Sequence, residues 1–474
     1  MNYPQLANSV RKMIRMADIT SSQIAEFIVD ISYKDISNST LIHTKNTLID
    51  TIACAIGGFD SKPGQIARKM ASTIQSADMP ARILGNSTYS SPELAGFTNT
   101  TMIRYLDCND SYFSPGGGHP SDMIGAALTL TEALGLSGQD LITSIVMGYE
   151  IFATLSDEIV VNQLGWDQGV FLGISAAAIT AKLLGLPKNQ ITNALSLAIV
   201  PNLPMGATRV GELSMWKGCA TAAAVKSGIF AALIAKEGLT SPEKPFDGNK
   251  GLWEQLGCDR PPTLATLEPR RETHKICDNI FKYYPSQIHT QAPIGLACQL
   301  SEKIDHTEIA SIHIQSYRQG GVSTPETEPE KWAPTTRETA DHSIPFLVSA
   351  ALIDGTVNPN TFEKTNLDRQ DIANLISITN ITENTEYSDL YPAQYNCKIE
   401  LNTTFGKHLE AHTKFPKGHQ NNPFDSLDLA NKFENLTSVN LSSEQRSNAM
   451  NILSNIEKVP TLSQLFDSLC ITTA

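Results

Sequence analysis

Four short stretches concentrate the side chains able to move protons or hold a negative charge. The first, YLDCNDSYFSPGGGHPSD, sets Asp107 and Asp110 three residues apart. That spacing places both carboxylates on one face of a helix end. Gly116, Gly117 and Gly118 then lead to His119, Ser121 and Asp122 at the start of the next helix. Three glycines let the backbone approach a ligand closely and leave helix N-terminal N–H groups free to meet an anion. Beside a carboxylate, an imidazole such as His119 can serve as general acid or base near neutral pH. The same residues also suffice to close a turn and cap two helices, and spacing alone favours that plainer reading. The loop matches neither GxGxxG nor GxxxxGK[ST], so it is not a nucleotide cradle.

The second stretch, RVGELSMWKGCATAAAVKSG, carries Lys217 at the head of an apolar helix, with Arg209 eight residues upstream. A cation there either meets a substrate carboxylate or snorkels to the surface past Trp216. The third, IFKYYPSQIHTQAP, packs Lys282, Gln287 and His289 into a segment where two domains should meet, and domain junctions commonly hold ligands. The fourth, ETADHSIPFLVSAALIDG, places Asp341 and His342 before an apolar helix. Asp341 or Ser343 reads as its N-cap, and His342 is either a capping partner or a contribution to the site. Other histidines fall outside these clusters. His313 alternates with Ile312 and Ile314, and His408 and His412, four strand residues apart, are separated by about 13 Å at roughly 3.3 Å per residue. No H-x-x-x-H helix, carboxylate cage or Cys cluster is present, so the inventory reads as acid–base chemistry with no metal and no cofactor.

These groups have to be held by helices. From Thr20 to about Leu256 the chain runs helix after helix, with Ser21 as a candidate cap, Gly57–Gly58 as a stop and Ser91–Pro92–Glu93 as a start. Several segments are Ala/Leu/Ile-rich on most faces, as buried helices are. After about Arg270 the pattern changes. EIASIHIQSY alternates with Ala310, Ile312 and Ile314 on one face, and CKIELNTTFGKHLEAHTKF reads as a hairpin turning at Phe405–Gly406. Two helical stretches, DHSIPFLVSAALIDG and NLDRQDIANLISI, lie between them, and helices return from Asp425. The expectation is a mostly α protein: a large all-α helical domain (1–270 and 421–474) with an inserted smaller α+β lid domain (271–420).

Composition narrows the partners. The 474 residues include 49 acidic and 36 basic side chains, for a formal charge of −13. An acidic chain of this kind does not bind nucleic acid or an anionic membrane as its main partner. Mean hydropathy is −0.15, and no window approaches ~18 consecutive apolar residues, so no membrane span is expected. Residues 1–20 lack an uninterrupted apolar segment and do not read as a signal peptide. The eight cysteines are scattered without a C-x-x-C pair, which fits reduced thiols and a cytoplasmic location.

At these stretches, together with GWDQGVFLGI, the sequence resembles the MmgE/PrpD family, whose best-known activity is 2-methylcitrate dehydratase. Five blocks run in the family's order across nearly the whole chain. The resemblance implies a large helical domain with a smaller lid, a homodimer, and metal-free hydro-lyase or related chemistry on di- or tricarboxylates. The family also includes cis-aconitate decarboxylase and an iminodisuccinate epimerase. Against the decarboxylase pattern, Asp107, His119, Lys217 and Lys282 match its proposed active-site positions. Ser111 stands for Thr, Asp167 and Gln287 each stand for His, and Phe346 stands for Tyr. Loss of two imidazoles and a phenol argues against decarboxylation, and an Asp at position 167 is what dehydratase-like members would carry. The expected roles are His119 as principal base or acid, Asp107 as its orienting partner or complementary acid, and Lys217 and Lys282 as the cations. Ser111, Asp167, Arg209, Gln287, His289 and His342 complete the substrate contacts. An epimerase or isomerase would use the same residues, as would a decarboxylase, and a non-catalytic carboxylate binder is the reading outside the enzyme class.

Overall fold

The computed structural model describes residues 18–258, 261–264 and 266–471. The N-terminal stretch weighed above for a leader lies outside the described residues, save for its last three. The protein is mostly α, as expected. Its first long helices start where short polar side chains take up orphan N–H groups. Ser37 accepts from the Thr40 N–H at the head of Asn38–Gly57, and Ser137 and Asp140 form a reciprocal box at the head of Gly138–Glu158. At the first described helix, Ile19–Asp30, the cap is Asp18 and not Ser21, because the Asp18 carboxylate accepts from the Ser21 N–H.

The Ala-rich helices Gly169–Leu183 and Ala220–Lys236 are buried along most of their length and pack directly on one another. Gly228 makes that approach possible: a Cβ there would sit 2.5 Å from the Gly173 carbonyl oxygen and 2.8 Å from the Ala176 Cβ. One apolar core joins residues from Ile24 to Ile276 with residues from Leu429 to Leu469. The later helix Ser426–Thr437 packs on Asn38–Gly57, so segments far apart in sequence close this core. No helix among the described residues is long and apolar enough to cross a membrane.

A second core runs from Ala292 to Leu401. It lies on a four-stranded sheet in the order Thr379–Glu383, Ile309–Ser316, Cys397–Thr403, His408–Thr413. The first pair is parallel and the other two are antiparallel. The hairpin expected at Phe405–Gly406 is present, with Ile399 opposite Ala411 and Gly406 at φ +80°. The helix Gln291–Ser301 covers this hairpin, and Ile344–Asp354 packs on that helix.

Two details depart from the sequence reading. Ala310 does not share the buried face of Ile312 and Ile314, because the register shifts between Ile309 and Ser311 and a bulge turns Ile309 inward and Ala310 outward. The stretch read as one helix, residues 366–378, is split between Lys364–Leu367 and Gln370–Ser377, and the unexpected strand Thr379–Glu383 follows it. Only Ile381 of the strand is buried, too little for an alternating signal.

Candidate active site

A cavity of about 790 Å³ opens between the two cores. The helical side lines it with Arg104, Asp107, His119, Asp167, Gln168 and Arg209. The sheet-bearing side contributes Gln287, His289, Lys331 and His342.

Asp107 is the hub. The helix Pro92–Tyr105 ends two residues before it, and Asp107 itself turns through φ +51°, a left-handed conformation rare for a residue with a side chain. Its Oδ1 accepts from Arg104 Nη1 at 2.7 Å and Lys282 Nζ at 2.5 Å, and its Oδ2 lies 2.9 Å from Lys217 Nζ. Burial alone would raise its pKa, but Arg104, Lys217 and Lys282 hold the carboxyl well below the usual range. That direction favours the orienting role expected for Asp107 over the complementary-acid role.

Two imidazoles face this carboxylate. His119 Nε2 lies 3.8 Å from Asp107 Oδ1 and His342 Nε2 lies 4.0 Å from Oδ2. The Nδ1 of His119 is 2.8 Å from the carbonyl oxygen of Asp110, which can only accept, so Nδ1 carries the hydrogen and Nε2 presents a lone pair. Ser111 Oγ lies 3.2 Å from the same Nδ1. The Nδ1 of His342 donates in turn to Asp341. Burial, with Arg104 and Lys282, pushes His119 well below the ordinary imidazole value. Burial and Lys217 push His342 down to about 4. Both rings are neutral bases at neutral pH.

Lys217 does not snorkel. It is buried in the turn Met215–Gly218, while its neighbour Trp216 is exposed. Its ammonium bridges Asp107 and Asp341, at 2.7 Å from Asp341 Oδ1. Asp341 is thus no helix cap; that task falls to Ser343, whose Oγ accepts from the Phe346 N–H at 3.1 Å. Asp107, Asp341 and His342 bring ligand atoms within 4.8 Å of one another, a grouping the sequence did not announce. The Lys217 ammonium sits against both carboxylates, where a divalent ion would have to bind. Neither Lys217 nor Lys282 lines the cavity, so they act on Asp107, and the cations at the wall are Arg104, Arg209 and Lys331.

Arg209 Nε donates to Asp167 Oδ2 at 2.8 Å, and its Nη2 is buried without a partner. Gln287 Oε1 is likewise buried and unpartnered. A free donor and a free acceptor lining one cavity from its two sides are groups a polar ligand would satisfy. His289 hydrogen-bonds the Tyr317 hydroxyl at 2.8 Å within an aromatic cluster, and burial, with His342 and Lys331 nearby, pushes it down to about 3.

One expectation for the first stretch fails. Asp107 and Asp110 do not share a helix face, because the helix has already ended. Asp110 points into the interior, where its Oδ2 accepts from Tyr149 and Asn279, each at 2.7 Å. The glycine run agrees with the plainer reading favoured on spacing, because the chain itself packs against it: a Cβ on Gly116 would meet the Ser156 carbonyl oxygen at 2.3 Å, and one on Gly118 would meet Gln168 Oε1 at 1.8 Å. The nearby N–H groups are taken, that of His119 by Gln168 Oε1 and that of Ser121 by Asp110 Oδ1.

Sequence reasoning missed Arg104, Arg337, Gln168 and Lys331. For Arg104 and Arg337 a signal existed, since they precede Asp107 and Asp341 by one helical turn. Lys331 had none.

The chain matches the MmgE/PrpD N-terminal domain over residues 22–265 and the MmgE/PrpD C-terminal domain over residues 284–458. A 2-methylcitrate dehydratase of Cupriavidus necator is 26% identical over 351 residues, covering 67% of this chain and 68% of its own. The Escherichia coli K12 2-methylcitrate dehydratase is 24% identical over 458 residues, covering 87% and 89%. A Saccharomyces cerevisiae protein named a probable 2-methylcitrate dehydratase is 24% identical over 450 residues, covering 88% and 85%. The two matched domains meet at the cavity around Asp107, and the chain belongs to the MmgE/PrpD family.

Proposed function

We propose that the chain is a carbon–oxygen hydro-lyase that dehydrates a hydroxy di- or tricarboxylate of the 2-methylcitrate type, working without metal and as a homodimer. The observation that carries this reading is the pair of imidazoles, His119 and His342, facing one carboxylate that three cations hold in its charged form, at a cavity wall rich in cations. Arg104, Lys217, Lys282 and Arg337 are four cations gathered against the two carboxylates Asp107 and Asp341, which supplies a polyanion with the attraction an acidic chain otherwise lacks.

Dehydration removes a proton α to a carboxylate, shifts that electron pair into a carbon–carbon double bond, and expels the β-hydroxyl with its own pair as water. His119 is suited to take the α-proton. Its Nε2 lone pair is fixed by the Asp110 carbonyl, and Asp107 stabilises the imidazolium as it forms. His342 is suited to protonate the departing hydroxyl. It is backed by the Asp341 carboxylate, and a bound polyanion raises its pKa toward protonation. Lys217 and Lys282 keep Asp107 charged, while Arg209 and Lys331 are placed to hold substrate carboxylates.

Two imidazoles flanking one site also suit removal of a proton and its return to the opposite face, and this favours an epimerase as the second reading. Proton NMR in D₂O separates the two, using chelator-treated protein with 2-methylcitrate, citrate, cis-aconitate and iminodisuccinate in parallel. An alkene signal from either citrate supports dehydration. Loss of an α-proton signal without an alkene moves the protein to the epimerase branch, and loss of carbon dioxide from cis-aconitate moves it to decarboxylation. With all four acids unchanged, the dehydratase reading falls and a carboxylate binder takes its place.

A further inference from the structure

The strained turn at Asp107 is held from behind by an unusual device. Four successive carbonyl oxygens each receive a cationic donor. Arg337 Nη1 reaches Tyr105 at 3.3 Å and its Nη2 reaches Leu106 at 3.4 Å. Lys282 Nζ reaches Asp107 at 2.9 Å, and Lys432 Nζ reaches Cys108 at 2.7 Å. Arg337 and Lys282 also contact the Asp341 and Asp107 carboxylates, so both belong to the charged centre. Lys432 does not. It comes from the helix Ser426–Thr437, is buried, and pairs with Asp50 Oδ1 at 2.5 Å on the helix Asn38–Gly57. Neither residue lines the active-site cavity. A buried ion pair adds little net stability over apolar residues of the same volume, so fold stability alone is a weak reason for a charge here. What Lys432 supplies that an apolar side chain would not is a donor for the carbonyl that follows Asp107.

We propose that Lys432, oriented by Asp50, is a positioning residue for Asp107, acting on it through the Cys108 carbonyl. The functional weight of this inference rests on the reading of Asp107 given above. With that donor gone, the turn relaxes and the Asp107 carboxylate moves away from His119 and His342. His119 is faced by Arg104, Lys282 and Asp107, and His342 by Lys217, Asp341 and Asp107. In both cases Asp107 favours the protonated ring, so its displacement lowers both imidazole pKa values.

The test follows the Cε1–H signals of His119 and His342 across pH in the full-length protein, as wild type and as Lys432→Met, Lys432→Arg and Asp50→Asn. Folding is checked by a cooperative thermal melt. The expected result is a downward shift of both imidazole titrations in Lys432→Met, recovery toward wild type in Lys432→Arg, and a smaller downward shift in Asp50→Asn. Turnover gives the second readout: kcat falls roughly 10²-fold with KM little changed, the scale of a reacting group misplaced by an ångström. If Lys432→Met does not fold, Asp50→Asn carries the same test. Unmoved imidazole titrations in a folded variant overturn the proposal, because a purely structural defect scales activity without shifting them. If wild type turns over none of the acids, the dehydratase reading fails while the titration still decides the positioning role.

Discussion

Asp107 serves five partners at once, and its neighbours differ sharply in what they lose when it or they change. His119→Gln keeps a polar side chain of similar size but removes the Nε2 lone pair. A folded variant is expected to lose roughly 10²–10⁴ in kcat/KM, the range for one acid–base group, and wild-type turnover would remove His119 from the mechanism. Asp122 shows the opposite electrostatic case. Burial pushes it up to about 7 from the usual 3.8, despite Arg104 nearby. A carboxyl raised on folding stabilises the protein fully below its unfolded pKa and loses that contribution as pH climbs to the folded value, between about 4 and 7. Asp122→Asn is expected to flatten the fall of the urea midpoint across that window, and an unchanged slope would contradict it. At this scale the sequence was partly legible. Residue types and spacing singled out the stretches that hold Asp107, His119 and His342, and the family resemblance supplied the roles expected of them. The burial of Lys217 was not readable, because whether a lysine snorkels depends on a carboxylate, Asp341, that arrives from 124 residues away.

Among the elements, the tightest constraint is the crossing of Gly169–Leu183 and Ala220–Lys236. An alanine at Gly228 gains up to about 1 kcal/mol of helix propensity. Its Cβ, however, meets the Gly173 carbonyl oxygen at 2.5 Å and the Ala177 nitrogen at 2.8 Å, backbone that cannot rotate away. Gly228→Ala is expected to destabilise by about 1–3 kcal/mol, as overpacking does, read as a lower urea midpoint with an unchanged m-value. Long buried helices were plain in the sequence, since Ala/Leu/Ile runs leave little other choice. The strand Thr379–Glu383 was hidden because it sits at the sheet edge beside Ile309–Ser316 with a single buried apolar residue, and its partner is parallel and some sixty residues away.

For the whole molecule, the separation of charge matters most. A chain of formal charge −13 repels polyanions at long range, while the cations around Asp107 attract them at short range. Raising salt shortens the Debye length from about 30 Å at 0.01 M to about 8 Å at 0.15 M, and exposed charges are screened before buried ones. The surface charge is exposed and the cations around Asp107 are buried, so the repulsion is screened first, and KM for a tricarboxylate is expected to fall over this range of salt while kcat, set by buried groups, holds. A kcat that changes in step with KM would place the reacting groups in solvent. The change of pattern near Arg270 was visible in the residues. The convergence of Lys217, Lys282, Arg337 and His342 on one aspartate was not, because it depends on how two cores dock.

The reach of Lys432 from the last third of the helical core has a consequence for the order in which the protein comes into being. A chain emerging from the ribosome has already delivered Asp107, His119, Lys217, Lys282 and His342 before the segment Ser426–Thr437 is synthesised. At about 5–20 residues per second, those acid–base groups wait several seconds for the strut that completes the turn beneath them. A nascent chain that has not yet reached this segment would therefore hold those side chains and still lack the donor beneath Asp107, so a finished centre waits for residues 426–437.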